Sequence, residues 1–267
     1  MLSHGQIDHY HEKGYVIPDY RLPEDIVEDM KRELNILIEA NPGMTSDAMF
    51  VPHLSQANPQ GMKATNPEKW RNYACHNDVL DMVSDLIGNH LALWGTTVFG
   101  KPAGNGKETP WHQDGQYWPI RPLRTCTVWV AIDHSSRANG ALRYIPGSHK
   151  AGIYAHRTDN SPDLTLHQVI DDPMFEEEKA RYVELEPGQI SLHDVHLLHG
   201  SEANQSSDRR AGFVIRYMPS TAVLRRDLDM SEVSKLDWTE MPLLLVRGQN
   251  RQADNDLEIG HRSGSVR

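Results

Sequence analysis

Two cysteines in 267 residues, Cys75 and Cys126, are too few for a disulfide framework. Both read as small buried apolar residues in a reduced, cytoplasmic setting. No apolar run approaches the ~18 residues of a membrane span. The start, MLSHGQIDHYHEKGY, has no basic region followed by an apolar stretch, so no secretory signal is expected. Positive charge is also short, with 27 Lys and Arg against 37 Asp and Glu, a net charge of −10. Nucleic acid and anionic membranes demand basic patches, so neither is an expected partner. A local basic pocket for a small anion stays open. Repeats are absent, and no residue pattern assigns an oligomeric state.

What is present is enough for a sizeable core in one large domain or two small ones. No second domain is evident, so 1–267 reads as a single unit. Residues 4–13 suit a helix stopped by Gly14, and Tyr15-Val16-Ile17 a first strand. Pro23 suits the first turn of the next helix, where Glu24 and Asp25 face its positive end. Ile26, Met30, Leu34, Leu37 and Ile38 recur at helical spacing. Residues 44–72 are polar and rich in Pro and Gly, and a loop that long reads as a lid. Asn77-Asp78 reads as the cap of another amphipathic helix, ended by Gly88.

From Leu91 the pattern changes to short β-rich runs: Leu91–Phe99, Cys126–Ile132, Leu142–Ile145, Arg181–Leu185, Gln189–Leu192 and Ala211–Met218. Many short strands between turn signals indicate a β-sandwich or barrel with helices before it. The core is expected over about 91–219, the helices and lid over 1–90, and an extension over 220–267. The tail after about Gly248 is polar, with Gly, Ser and Asn, and reads as partly disordered.

His112-Gln113-Asp114 places an imidazole and a carboxylate two residues apart, on one face of an extended chain. A distant His199, in Leu-His-Gly-Ser, would complete a set of two His and one carboxylate. That set suits a non-haem Fe(II) oxygenase and also Zn2+. His193 and His196 compete for the distal position.

The stretches TPWHQDGQYW, TCTVWVAIDHSSRANGALRYIPGSHK and LLHGSEANQSSDRRAGFVIRYMP, in that order, resemble the phytanoyl-CoA dioxygenase family of Fe(II)/2-oxoglutarate-dependent oxygenases. The resemblance runs from about Phe99 to Pro219, and the Gly14-Tyr15-Val16-Ile17 start is similar too. It implies a mainly β fold, a double-stranded β-helix (a cupin-like jelly roll) with flanking helices. It implies His112, Asp114 and His199 as iron ligands, and Fe(II), 2-oxoglutarate and O2 as cofactor and cosubstrates. An Arg fork suits the distal carboxylate of 2-oxoglutarate. Both Arg209 and Arg210 are candidates, opposite in direction on a strand, and the family's spacing selects Arg210. Trp129, Ser201 and Gln113 match positions that contact the cosubstrate. Asn139-Gly140 and Pro146-Gly147-Ser148-His149 match turn positions.

The implied reaction is hydroxylation of an aliphatic C–H, since Asp114 occupies the position a halogenase leaves for halide. The substrate is expected to be a small polar metabolite. Tyr117, Trp118, Arg121, Arg124, Arg143 and Arg216 are expected around the mouth, where Arg suits an anion and the aromatics suit an ammonium. Together they point first to an aminoalkylphosphonate, hydroxylated next to phosphorus, then to an amino acid, a betaine or a secondary metabolite. A Zn hydrolase and a non-catalytic jelly-roll binding module are the rival readings.

Overall fold

Two antiparallel sheets face one another, and four helices cover the outer face of the larger one. The computed structural model describes residues 1–55, 61–234 and 236–259. Residues 56–60 of the expected lid, and 235 and 260–267 of the expected C-terminal extension, lie outside the described residues.

The helices are α1 (His4–Lys13), α2 (Glu24–Glu39), α3 (Pro67–Ala74) and α4 (Asn77–Ile87). Ser3 and Gln6 form a capping box that starts α1, and Gly14 ends it in a left-handed conformation. Val27, Met30, Leu34 and Leu37 form the buried stripe of α2. The expected Asn77-Asp78 cap is corrected: His76 holds the cap position without a side-chain bond, and Asn77 opens the helix.

The strands are β1 (Tyr15–Val16), β2 (Met49–Phe50), β3 (Leu91–Lys101), β4 (Thr109–His112), β5 (Ile120–Arg121), β6 (Cys126–Ala131), β7 (Leu142–Tyr144) and β8 (His156–Thr158). They continue with β9 (Gln168–Ile170), β10 (Arg181–Val183), β11 (Ile190–Asp194), β12 (His199–Ser201), β13 (Arg210–Pro219), β14 (Val223–Leu224) and β15 (Leu244–Arg247). The larger sheet runs β1-β11-β6-β13-β3-β15, with β2 also on β3, and the smaller runs β10-β7-β12-β4. β5 pairs with β14 and β8 with β9. The eight strands β3, β4, β6, β7 and β10–β13 thus form a double-stranded β-helix.

Alternation along β13 builds both cores. Ala211, Phe213, Ile215 and Tyr217 pack under the helices with Cys126, Val128 and Val130 of β6. Each fully buried Leu, Val or Phe side chain on such a face stabilises by about 1.5–3 kcal/mol. The other face turns Val214 and Trp129 between the sheets, with Leu142, Tyr144 and Val183.

Expected strands recur with ends shifted by one or two residues. The reading of 44–72 as a bare lid is corrected, because Met49–Phe50 pairs with β3 and Pro67 opens α3. In the extension, β15 completes the larger sheet, and buried Asn255 donates to the Ala222 carbonyl. The stretch 249–259 is therefore tied down. Among the described residues no helix is long and apolar enough to cross a membrane.

Gly212 lies against the Trp129 indole, where a Cβ would fall 2.1 Å from Cζ2. Gly212→Ala is expected to destabilise by about 1–3 kcal/mol through overpacking, measured by urea denaturation.

Candidate active site

His112 ends β4 and His199 begins β12, and the two are direct cross-strand partners. Gln113 continues the extended chain, and Asp114 opens a 3-10 turn over Asp114–Tyr117. His112, Asp114 and His199 each offer a ligand atom, and these lie within 4.8 Å of one another. Both imidazole Nε2 atoms stand 3.9 Å from Asp114 Oδ1. Among the described residues this is the one such cluster of His, Cys, Asp or Glu.

The backbone fixes the tautomers. His112 Nδ1 donates to the Pro110 carbonyl at 2.7 Å, and His199 Nδ1 to the Leu197 carbonyl at 2.9 Å. A carbonyl only accepts, so each Nδ1 carries the proton and each Nε2 presents a lone pair. Burial pushes the His112 imidazole down to about 4 and the His199 imidazole well below its ordinary value. Both rings are neutral at neutral pH. Burial would raise the Asp114 carboxyl, but the hydrogen bond from the His193 side and the Arg216 charge outweigh it. Asp114 stays ionised. Two neutral imidazoles and one carboxylate on one side of a cavity fit a divalent ion with open coordination positions.

Distal histidines separate cleanly. His196 is half-buried and its Nδ1 lies 3.2 Å from Asp194, away from the cluster. His193 is buried beside the site, with Nδ1 against the Tyr144 hydroxyl at 3.1 Å and Nε2 3.6 Å from Asp114 Oδ2. Thr127 donates to that same oxygen at 3.0 Å. Thr127 was not anticipated, although it lies two residues from Trp129 on one strand and so shares its face.

A cavity of about 220 Å3 opens from the cluster. Arg210 lines one part of it, fully buried, and donates to the Gly140 carbonyl at 2.5 Å through Nη2 and 2.9 Å through Nε. Nη2 also donates to Ser201 Oγ at 3.1 Å, and the guanidinium carbon lies 5.6 Å from the Trp129 ring. Gly140 has a φ of 82°, and a Cβ there would strike the Glu202 carbonyl at 2.5 Å. Glycine is what lets that carbonyl reach Arg210. Lys101 secures the same corner by donating to the carbonyls of Lys107, Ser201 and Glu202. Arg209 points outward to Asp133 and Asn35.

Tyr117, Trp118 and Arg216 line the cavity, as expected, and Phe50 and Val51 also reach it. Several other expectations need correction. Gln113 spends its amide on scaffold bonds: it donates to the Gly152 and His196 carbonyls and accepts from Tyr154 N–H, and it does not line the cavity. Arg121 is exposed and donates to the Trp118 and Ile120 carbonyls. Arg143 is paired with Glu177 and Glu202 and lies over Trp111. Arg124 is exposed and also outside the cavity. Sequence shows charge, but not which side of a short strand carries it.

If the cluster holds a divalent ion, His199→Ala is expected to lower its affinity by about 100-fold or more, since one of three candidate ligands is removed. His196→Ala should leave it unchanged. Calorimetric titration with Ni(II) or Fe(II) reads both.

Residues 10–212 match the family model for phytanoyl-CoA dioxygenase (PhyH). A probable phytanoyl-CoA dioxygenase of Caenorhabditis elegans is 35% identical over 156 residues, 54% of this chain and 49% of that protein. A probable alpha-ketoglutarate-dependent hypophosphite dioxygenase of Stutzerimonas stutzeri is 28% identical over 146 residues, 54% of this chain and 51% of that protein. The chain thus spans about half the length of these relatives. The solved apo structure of ThoJ, a non-heme monooxygenase, superposes with a TM-score of 0.71 at 26% identity, covering 91% of this chain and 84% of that one. With the family match extending over most of the fold and through the ligand cluster, the chain belongs to the phytanoyl-CoA dioxygenase (PhyH) family.

Proposed function

We propose that the protein is an Fe(II)- and 2-oxoglutarate-dependent dioxygenase, acting as one catalytic unit to hydroxylate an aliphatic C–H of a small polar metabolite. The observation that carries this is one cavity holding both a one-sided His112–Asp114–His199 cluster and the buried Arg210 guanidinium. His112, Asp114 and His199 would hold the iron. Arg210 would take the distal carboxylate of 2-oxoglutarate, with Ser201 orienting the fork and Trp129 walling it. Bound there, iron and 2-oxoglutarate supply the O2 chemistry, in which 2-oxoglutarate leaves as succinate and CO2 and the substrate C–H becomes C–OH. The protein's own part is to orient the two organic molecules and exclude water.

About 220 Å3 is below the ~300–1,000 Å3 of drug-sized sites and favours a small metabolite over a long acyl chain. Within that class an aminoalkylphosphonate ranks first, supported by the relative named for hypophosphite and by an Arg and aromatic side chains in the cavity. An amino acid, a betaine or a secondary metabolite follows. Unbridged Cys75 and Cys126 fit the reducing, cytoplasmic setting.

Anaerobic addition of 2-oxoglutarate to the Fe(II)-loaded protein is expected to give a visible charge-transfer band, and air should then yield succinate. A Zn hydrolase would show activity without O2 or 2-oxoglutarate, and a binding module would release no succinate. Arg210→Ala should raise the 2-oxoglutarate concentration for half-saturation roughly tenfold or more with metal affinity little changed. Equal losses of both would overturn its role.

A further inference from the structure

Arg210 and Arg216 lie on the same face of β13, and both line the cavity. Other buried or half-buried cations near the site are committed. Arg143 has two carboxylates, and the Lys101 ammonium has three carbonyls. Arg216 differs. Its Nη1 donates to Thr97 Oγ1 at 2.7 Å, and its Nε is buried without an acceptor. Among the described residues no carboxylate is in ion-pair contact with it, and the charge that acts on it is that of Asp114. Asp114 is committed to the ligand cluster, so the buried fork keeps a donor open for an anion that arrives from outside.

The surroundings hold this fork rigid and aimed. Its carbon lies 5.8 Å from the Trp94 ring and 5.6 Å from the Trp118 ring. The pairing of β13 with β3 bulges between Arg216 and Tyr217, whose partners are Gly95 and Leu93, which leaves Trp94 as the extra residue. Trp94 lines the cavity too, and its indole N–H is buried without an acceptor. Thr127, the cross-strand partner of Arg216 on β6, is the residue that donates to Asp114. The open fork is therefore one strand away from the ligand cluster, at a position separate from Arg210.

Resting on the dioxygenase reading of this cavity, we infer that Arg216 is the substrate anchor and that the substrate is a small oxyanion, a carboxylate or a phosphonate. Its charged head sits on the guanidinium between Trp94 and Trp118. Its short body lies along Val51, Trp118 and Leu236, which line the same cavity. Two anions then meet at one centre, the cosubstrate from the Arg210 end and the substrate from the Arg216 end. Like charges are kept apart along β13, and each end rejects a neutral isostere because its donors would be left unpaired.

The test uses the full chain loaded with Ni(II) and 2-oxoglutarate. Butyrate, propylphosphonate and neutral butyramide are titrated in turn, with heat and the indole N–H resonances of the six tryptophans as readouts. Trp94→Phe assigns the Trp94 signal. At least one acid should saturate the protein and shift that signal, butyramide should not, and the tighter acid identifies the head group. Arg216→Gln should weaken the acid roughly tenfold or more, with 2-oxoglutarate and metal affinities within about twofold. Arg216→Lys, which keeps charge without the fork, should fall between, and it serves where the Gln variant does not fold. Equal binding of butyramide, an unchanged Arg216→Gln, or a loss of metal affinity matching the loss of acid would each overturn the anchor. So would failure of both acids on protein that holds Ni(II) and 2-oxoglutarate. Failure to hold those two would instead overturn the dioxygenase reading.

Discussion

Side-chain alternation along Arg210–Pro219 is the constraint on which the site depends. One row of this strand is apolar and is held by the helices, while the other carries two guanidiniums and a glycine into the space between the sheets. A slip of one residue in its pairing would exchange the rows, sending charge into the helix-packed core. The apolar row thus enforces the position of the polar one. Burial that stabilises the fold is also what fixes Arg210 beside Ser201 and Trp129.

Polar burial on this scale needs acceptors, and the backbone supplies most of them. Gly140 receives Arg210, three carbonyls receive Lys101, and Pro110 and Leu197 receive the ligand imidazoles. Main-chain carbonyls carry no proton to lose, so these bonds hold through changes of pH that would alter a carboxylate. Charged acceptors within reach would have neutralised the arginines and left nothing for a ligand to complete.

Much of this was legible beforehand. His112, Asp114 and His199 stand out as residue types, and ordered flanking motifs distinguish His199 from His193 and His196. Period-two reasoning says that a strand can turn only one of Arg209 and Arg210 inward, and the spacing of the family it resembles is what selects Arg210. What sequence hid has physical causes. β4 contains Pro110 and β12 is three residues long, so neither reads as a strand. Gln113 looks like a contact residue until its amide is followed to Gly152 and His196. Arg121 and Arg143 look like ligands for an anion until their carbonyls and carboxylates are found. The segment from 44 onward looks structureless because Met49–Phe50 needs the edge of β3 to become a strand.

The direct pairing of His112 with His199 has a thermodynamic side as well. These residues face each other across β4 and β12, a pairing with an irregular register and only a few residues of ladder. An ion held by both would act as a cross-link between segments far apart in the chain, and it would bind the native register alone. Each factor of ten in free metal above the dissociation constant then adds about 1.4 kcal/mol to the folded state. An ion held there would rivet these two short strands of the smaller sheet as well as serve the proposed chemistry.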